Sequence, residues 1–408
     1  MKIKDIGNII TGKTPSTKQK DNYDGSIMFI TPEDVSKGYY INRTDRTLSD
    51  KGFESIKNNT LDGISVLVNC IGNIGDVAIV KGKCATNQQI NAITNFKENI
   101  NPLYVYYRLK QYKLILNNLA GNTVLKILPK GIFEEIEIDI PDINKQNKIA
   151  NLLSNIDELI YNNNNINYEL EAMAKTIYDY WFLQYEFPND VGKPYKSSSG
   201  KMIYNEEMKK EIPEEWKCKK ISEIEDNIVT GKTPSTKDEN NFGGDIPFIT
   251  IDDIRQGLYI SKTIRTLSEK GANSQIKKFI PEDSICVTCI ATVGLVGITT
   301  QKSQTNQQIN SIVCENKNNL YYLVNAIKDY FKYSTGAKTG NVFDNMNKDD
   351  FSSIKILYPT ENILNKFNEK VKPLYEKIKN NIIENIELIR LRDELLPLLM
   401  NNQVKVTK

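Results

Sequence analysis

The sequence predicts an α+β chain made of two copies of one globular domain, each followed by a long helix. Three observations carry this. A set of short segments returns at one fixed distance, as duplicated domains require. Around those segments, short β-type apolar runs alternate with Gly, Asn and Asp turns. After each β-rich part, apolar side chains recur at steps of three and four for roughly forty residues, the pattern of a helix with a buried seam.

The duplication is explicit. T-G-K-T-P-S-T-K spans Thr11–Lys18 and returns at Thr230–Lys237, 219 positions on (230 − 11). Phe29–Thr31 returns at Phe248–Thr250, Arg46–Ser49 at Arg265–Ser268, and Thr86–Asn91 at Thr305–Asn310, all at the same offset. An ungapped register holds from 8 to 91, with roughly half the positions identical. Looser matches follow: Leu103-Tyr104 with Leu320-Tyr321, Phe133 with Phe351, Pro141 with Pro359. A period this long means duplicated domains with pseudo-two-fold symmetry, where periods of tens of residues make solenoids.

Within each copy, Ile64–Cys70 and Asp76–Val80 read as strands, as do Ser284–Thr288 and Leu295–Thr299. Helical stretches are expected at about 102–118 and 319–332. The first long helix carries Leu152, Ile156, Leu159, Asn163, Ile166, Leu170, Met173 and Ile177 at heptad spacing. A lone Asn at such a position fixes register at some cost in stability. The second carries Leu364, Phe367, Val371, Leu374 and Ile378, then shifts face toward Ile382, Ile386, Ile389 and Leu396. Pro373 predicts a bend or a late start, and Pro397 an end. Neither helix can bury its seam alone, so the two are expected to pair; the alternative is that each lies on its own domain. A helix of ~40 residues is about 60 Å long, which would hold two domains that far apart. Pro188 to Trp216 is turn-rich and reads as an ordered linker. The expected divisions are 1–142, 143–186, 187–217, 218–359 and 360–400.

Composition narrows the function. The chain has 408 residues, enough for two to four domains. Its 53 basic and 51 acidic residues give a net charge of +2, so DNA binding would require the charges to be segregated onto different faces. There is no histidine, which removes His-based general bases and triads. Only Cys286 and Cys289 of the six cysteines form a C-x-x-C, with no second pair for zinc, so no metal is expected. No apolar run is long enough to span a bilayer and no signal-peptide core opens the chain, so a soluble cytoplasmic protein is expected, with no membrane partner.

Gly7 to Thr14 fits the P-loop pattern, but six residues are too few for a central strand before it, and Pro15 opposes a helix after it. The second copy has Asp226 where Gly7 stands. The nucleotide-binding reading is therefore rejected.

Exposed loop residues of the right chemistry for DNA are Lys13, Thr14, Ser16, Thr17 and Lys18, with Lys232, Thr233, Ser235, Thr236 and Lys237 in the second copy. A tight turn fixed by Gly and Pro explains the same residues equally. Arg46 and Arg265 are phosphate candidates, set against solvated or ion-paired arginines. Asn87, Gln88, Asn306 and Gln307 could read bases, or hold a turn. Positions identical in both copies should serve the scaffold or contacts common to both half-sites, and differing ones should distinguish bases. Divergence concentrates at 53–64 against 272–283, 72–85 against 291–304, and 111–130 against 329–348. There Asn73, Asp76, Lys81 and Lys126 stand against Thr292, Leu295, Thr300 and the nearby Lys338.

Together these residues resemble the specificity subunits of type I restriction-modification enzymes. The resemblance rests on the G-x-T-P-S loops, the T-N-Q-Q segments and the run from Pro141 to Phe187 with its K-Q-x-K-I-A. It also rests on K-P-Y-K-S-S-S-G-K-M leading to E-I-P-E-E-W, and it covers essentially the whole chain. It implies two target-recognition domains, each reading one half of a bipartite double-stranded DNA site. It implies an antiparallel two-helix coiled coil acting as a ruler between them. Two methyltransferase subunits would dock on the helices, and restriction subunits would join them. The chain itself would be non-catalytic and hold no cofactor. S-adenosylmethionine would belong to the methyltransferase partner, and ATP and Mg to the restriction partner. The region 360–403 lacks the K-Q-x-K-I-A run, which sets the two docking surfaces apart. The alternative is a coiled-coil assembly protein without sequence-specific DNA binding.

Overall fold

The computed structural model describes residues 1–121, 126–336 and 345–404. The chain forms two compact units, Met1–Asn163 with Asn385–Lys408, and Asn164–Glu384. The expected α+β duplication is the observed architecture, with one sheet topology built twice.

In unit 1 the strands are β1 (Asn8–Thr11), β2 (Tyr23–Ile30), β3 (Tyr40–Ile41), β4 (Thr47–Leu48), β5 (Thr60–Leu61), β6 (Ile64–Asn69), β7 (Val77–Lys81), β8 (Cys84–Thr86) and β9 (Ile90–Thr94). They make a five-stranded sheet, β1-β9-β6-β7-β3, and a four-stranded one, β4-β2-β8-β5. The central strand β6 is buried from Ser65 to Asn69. Its Val66, Leu67 and Val68 suit a strand covered on both faces. One cover is the helix Pro102–Gln111, which buries Tyr104, Tyr106 and Tyr107 in the core with Val66 and Val68. That helix starts where Asn101 accepts from the N–H of Leu103 at 2.8 Å and Pro102 takes the first helical position, a strong start signal.

Unit 2 holds β10 (Met202–Asn205), β11 (Lys210–Pro213), β12 (Lys217–Lys220), β13 (Ile228–Thr230), β14 (Phe242–Ile249), β15 (Tyr259–Ile260), β16 (Arg265–Leu267), β17 (Ser284–Thr288), β18 (Val296–Thr299), β19 (Gln304–Thr305), β20 (Ile309–Val313) and β21 (Lys355–Tyr358). The five-stranded order β13-β20-β17-β18-β15 repeats that of unit 1 strand for strand. Register repeats too: Thr11 pairs with Asn91, and Thr230 with Asn310. The expected linker is a folded part of this unit. β10 and β11 form a hairpin. Beside it Trp216 is buried and stacks on Phe187, centroids 5.1 Å apart at 25°.

The first long helix is Ile143–Tyr178, opened by the Asp142 carboxylate accepting from the N–H of Lys145 at 3.1 Å. The second is Glu361–Met400. It neither starts late at Pro373 nor ends at Pro397, but runs through both. Pro373 lies on the solvent side, between the fully buried Val371 and Tyr375. The packing of that inner row offsets the missing hydrogen bond. Pro397 is exposed in the last turn.

The two helices pair antiparallel within each unit. In unit 1, Asn163 donates to Asn385 at 3.0 Å and Arg392 to Asp157 at 2.7 Å. In unit 2, Asn381 donates to Asn167 at 2.8 Å, and the Tyr178 and Phe367 rings lie 6.3 Å apart. One residue number falls as the other rises. Of the expected seam, Ile156, Leu364, Val371 and Ile378 are buried, and Asn163, Leu170 and Ile177 are half-buried. Leu152, Leu159, Ile166, Met173 and Ile389 are exposed instead. The buried row runs one position over, through Leu153, Asp157, Asn167, Ala174 and Tyr178. Three of these five are polar or small, so a search for apolar heptads settles on the neighbouring row.

The Asn167–Asn381 pair gives a prediction. Both side chains are buried, and Asn381 Oδ1 has no hydrogen-bond partner among the described residues. Asn381→Leu alone strands Asn167 and should cost about 1–3 kcal/mol, while Asn167→Leu with Asn381→Leu should be near neutral or stabilising. A double-mutant cycle on urea unfolding midpoints checks this. Equal losses in single and double variants would contradict it.

Candidate nucleic-acid interface

The sheet topology brings the sequence-predicted loops to one place. β1 ends, β9 begins, β6 ends and β7 begins at the same end of the five-stranded sheet of unit 1: Thr11 pairs with Asn91, Asn69 with Ile90, and Val68 with Val77. The loop after Thr11, the Asn87–Gln89 turn and the loop between Asn69 and Val77 therefore share that end. The backbone ties them: Gly12 N donates to Ile90 O at 3.1 Å, Cys70 N to Gln89 O at 2.8 Å, and Leu128 N to Cys70 O at 2.8 Å. Unit 2 repeats the ties: Gly231 N to Ile309 O at 3.1 Å, Cys289 N to Gln308 O at 2.8 Å, and Met346 N to Cys289 O at 2.8 Å.

The T-G-K-T-P-S loop is a close backbone approach. A Cβ on Gly12 would lie 2.1 Å from Asn87 O, and one on Gly231 2.1 Å from Asn306 O. Thr14 donates to Gln88 Oε1 at 2.7 Å and Thr233 to Gln307 Oε1 at 2.6 Å. The Asn22 amide donates to Ser16 O at 3.1 Å, and its counterpart Asn241 to Ser235 O at 2.9 Å. This leaves Lys13, Ser16, Thr17, Lys18 and Gln88 exposed, and likewise Lys232, Ser235, Thr236, Lys237 and Gln307. The P-loop resemblance dissolves here: residues between Gly7 and Gly12 form β1, and no helix follows Lys13 until the single turn at Lys20–Asn22.

Asn87 and Asn306 face inward. Asn87 Oδ1 accepts from Gln89 N at 3.0 Å, Asn306 Oδ1 from Gln308 N at 3.0 Å, and Asn306 is buried. These two hold the turn, while Gln88 and Gln307 face out. Arg46 is exposed and lies over two rings, 5.4 Å from Tyr23 and 5.2 Å from Phe29. Tyr23 OH donates to Pro15 O at 2.7 Å, which sets the guanidinium beside the loop. Arg265 lies over the equivalent ring, Phe242, at 4.4 Å, though that ring has no hydroxyl to make the Tyr23–Pro15 tie. Aromatic stacking orients a guanidinium without neutralising it.

The divergent candidates divide. Asn73 and Thr292 stand in the loop at the shared sheet end, and Lys126 is exposed beside Ile127, which bridges to Ile71. Lys81 ends β7 opposite Ile64, at the far end of the sheet, where it lines a groove of about 740 Å³ with Tyr39, Tyr40, Glu158 and Tyr161. Thr300 follows β18 at the equivalent far end. Lys338 lies outside the described residues. Sequence reasoning missed Ser36 and Arg255, equivalent positions that reach the same loop end. Ser36 Oγ donates to Asp76 at 2.5 Å, and Arg255 Nη2 to Thr292 Oγ1 at 2.7 Å. Their difference in type was legible in the repeat, but their place in space was not.

The C-x-x-C is buried core. Burial raises the Cys286 thiol to about 12 and Cys289 to about 11, which opposes thiolate chemistry. Among the described residues, no helix is long and apolar enough to cross a membrane.

Comparison with known proteins adds a consistent likeness. The family model for the type I restriction modification DNA specificity domain matches residues 1–172 and again 213–388. The chain is 31% identical over 349 residues to the HindI specificity subunit of Haemophilus influenzae, covering 72% of this chain and 74% of that protein. It is 29% identical over 414 residues to the MjaIX specificity subunit of Methanocaldococcus jannaschii, covering 99% and 93%. In fold it is similar to the S subunit of a type I restriction-modification system from M. genitalium, with a TM-score of 0.59 at 15% identity, covering 100% of this chain and 96% of that one.

Proposed function

Because the chain belongs to the type I restriction-modification DNA specificity family, we propose that its two domains each read one half of a bipartite double-stranded DNA site. The observation that carries this reading is the doubled sheet end. In each unit a shared loop presents Lys13, Thr17 and Lys18, or Lys232, Thr236 and Lys237, beside a stacked arginine. Such groups grip phosphates without reading sequence. Beside them stands a loop whose side chains differ between copies. The divisions 1–142 and 218–359 serve as the two readers, with 143–186 and 360–400 as the helices that set the spacing of the half-sites.

The chain itself is non-catalytic in this reading. Two methyltransferase subunits dock on the helices and bring S-adenosylmethionine. Restriction subunits, where present, bring ATP and Mg. Docking is supported by apolar side chains left exposed: Leu152 and Leu159 in unit 1, Ile166, Met173 and Tyr180 in unit 2. The work is done on cytoplasmic DNA.

Two measurements test this. Competition binding by the chain with its methyltransferase partner should show a site displaced about a thousandfold less readily by random DNA than by itself. Equal competition would favour the assembly-protein reading. Lys13→Ala and Lys232→Ala should each reduce the salt slope of log K by about one and leave sequence preference intact. An unchanged slope would remove these lysines from the phosphate set.

A further inference from the structure

At the loop end of each five-stranded sheet, one pair of equivalent positions differs in kind while the backbone around it is constant. Gly75 and Gly294 both take positive φ, 84° and 92°, and a Cβ on either would meet a helical residue, Lys113 of Lys113–Leu119 at 3.1 Å or Phe331 of Leu320–Gly336 at 2.6 Å. Gly75 N donates to Asn69 O at 2.9 Å and Gly294 N to Thr288 O at 2.8 Å. The frame is the same; the side chains are not. In unit 1 the exposed Asn73 donates to Ser36 Oγ at 3.3 Å, and Asp76, which accepts from Ser36, also accepts from Lys113 at 2.6 Å. In unit 2 Arg255 replaces Ser36, Thr292 replaces Asn73 and Leu295 replaces Asp76. There the guanidinium is the outward group, donating to Thr292 Oγ1 at 2.7 Å and to Asp252 at 3.0 Å.

We propose that these two positions are the base-reading pair of each unit, with their roles exchanged between copies. In unit 1 Asn73 reads and Ser36 orients it. In unit 2 Arg255 reads, and Thr292 orients it. The chemistry then names the bases. An Asn amide offers a donor and an acceptor side by side, matching adenine N6 and N7. An Arg fork offers two donors, matching guanine O6 and N7. The Arg255 ion pair is exposed on both sides, so it gives way to a base at little cost. The loop is tied to the Gln89 or Gln308 turn, so shared phosphate contacts would fix its register on the duplex. The half-site of unit 1 therefore holds an adenine where that of unit 2 holds a guanine. This rests on the reading of the chain as a DNA specificity subunit.

The test is methylation-motif mapping in cells carrying the complete methylating complex, with the unsubstituted chain, Arg255→Ser, Asn73→Ala, and the exchange Ser36→Arg with Asn73→Thr. The substituted side chains are exposed, so folding is not at stake in the single variants. Arg255→Ser should cut the preference for one guanine in one half-site by about five- to a hundredfold and leave the other half unchanged. Asn73→Ala should do the same to one adenine in the other half. The exchange should turn that adenine requirement into guanine. An unchanged motif in both single variants, with a chain-dependent motif present for the unsubstituted chain, overturns the assignment and leaves the subunit role standing. No chain-dependent motif at all overturns both.

Discussion

Asp157→Ala is expected to destabilise unit 1 by about 3–5 kcal/mol, because it leaves buried partners without their acceptor. The carboxylate is 1% exposed. It accepts from Tyr107 OH at 2.7 Å and from Arg392 Nη1 at 2.7 Å, joining the helix under the sheet to both long helices. The Arg392 side chain is itself mostly buried, and its other acid partner, Asp393, is exposed. Without Asp157 the guanidinium keeps, among the described residues, that weak surface pair alone. Burial and the adjacent carboxylate hold the Tyr107 phenol far above its usual range, so it remains a donor at every working pH and would be left unsatisfied. Asp157→Asn keeps the shape and one acceptor, and should lose less. Urea unfolding of the purified chain with its partner reads both values. A loss under about 1 kcal/mol for Asp157→Ala would mean the pair is no stronger than a surface one.

Gly12→Val should abolish reading by unit 1 while unit 2 keeps its own. The added Cβ would lie 2.1 Å from Asn87 O and 2.2 Å from Thr86 Oγ1. The first is backbone, so the loop itself must move. That breaks the approach to the Asn87–Gln89 turn and the Thr14–Gln88 hydrogen bond. Overpacking alone costs about 1–3 kcal/mol. The functional loss is larger: with one of two readers displaced, specific affinity should fall about a thousandfold toward the non-specific level, with random-DNA binding retained. Gly231→Val should do the same through unit 2. Specific binding within a fewfold of the unsubstituted chain would show that this loop end does not face DNA.

Much of this was legible in the sequence, for identifiable reasons. The repeat register carried over to the strands almost position for position, since β2 at Tyr23–Ile30 and β14 at Phe242–Ile249 lie at the offset of the T-G-K-T-P-S-T-K copies. The helix expected from about 102 starts there, where Asn101 caps it and Pro102 takes the first helical position. The seam misled because Asp157, Asn167 and Asn381 carry it, and polar side chains leave no hydrophobic period to follow. Pro373 misled because its cost depends on which face it occupies, and that is set by packing. At the candidate interface, residue types were readable but ends of strands were not. Lys81 and Asn73 looked alike as divergent polar positions, yet β7 puts them at opposite ends of one sheet. Ser36 and Arg255 lie far along the chain from the loop they serve, so spacing alone could not select them.

The role proposed for this chain is to confer DNA sequence choice on a methyltransferase through two readers. Its most direct test is long-read methylation mapping in a host expressing the methyltransferase partner with and without the chain. The expected result is a methylated motif of two short half-sites around an unread spacer, present only when the chain is present. An active, chain-bound methyltransferase whose methylation pattern does not depend on the chain would contradict it.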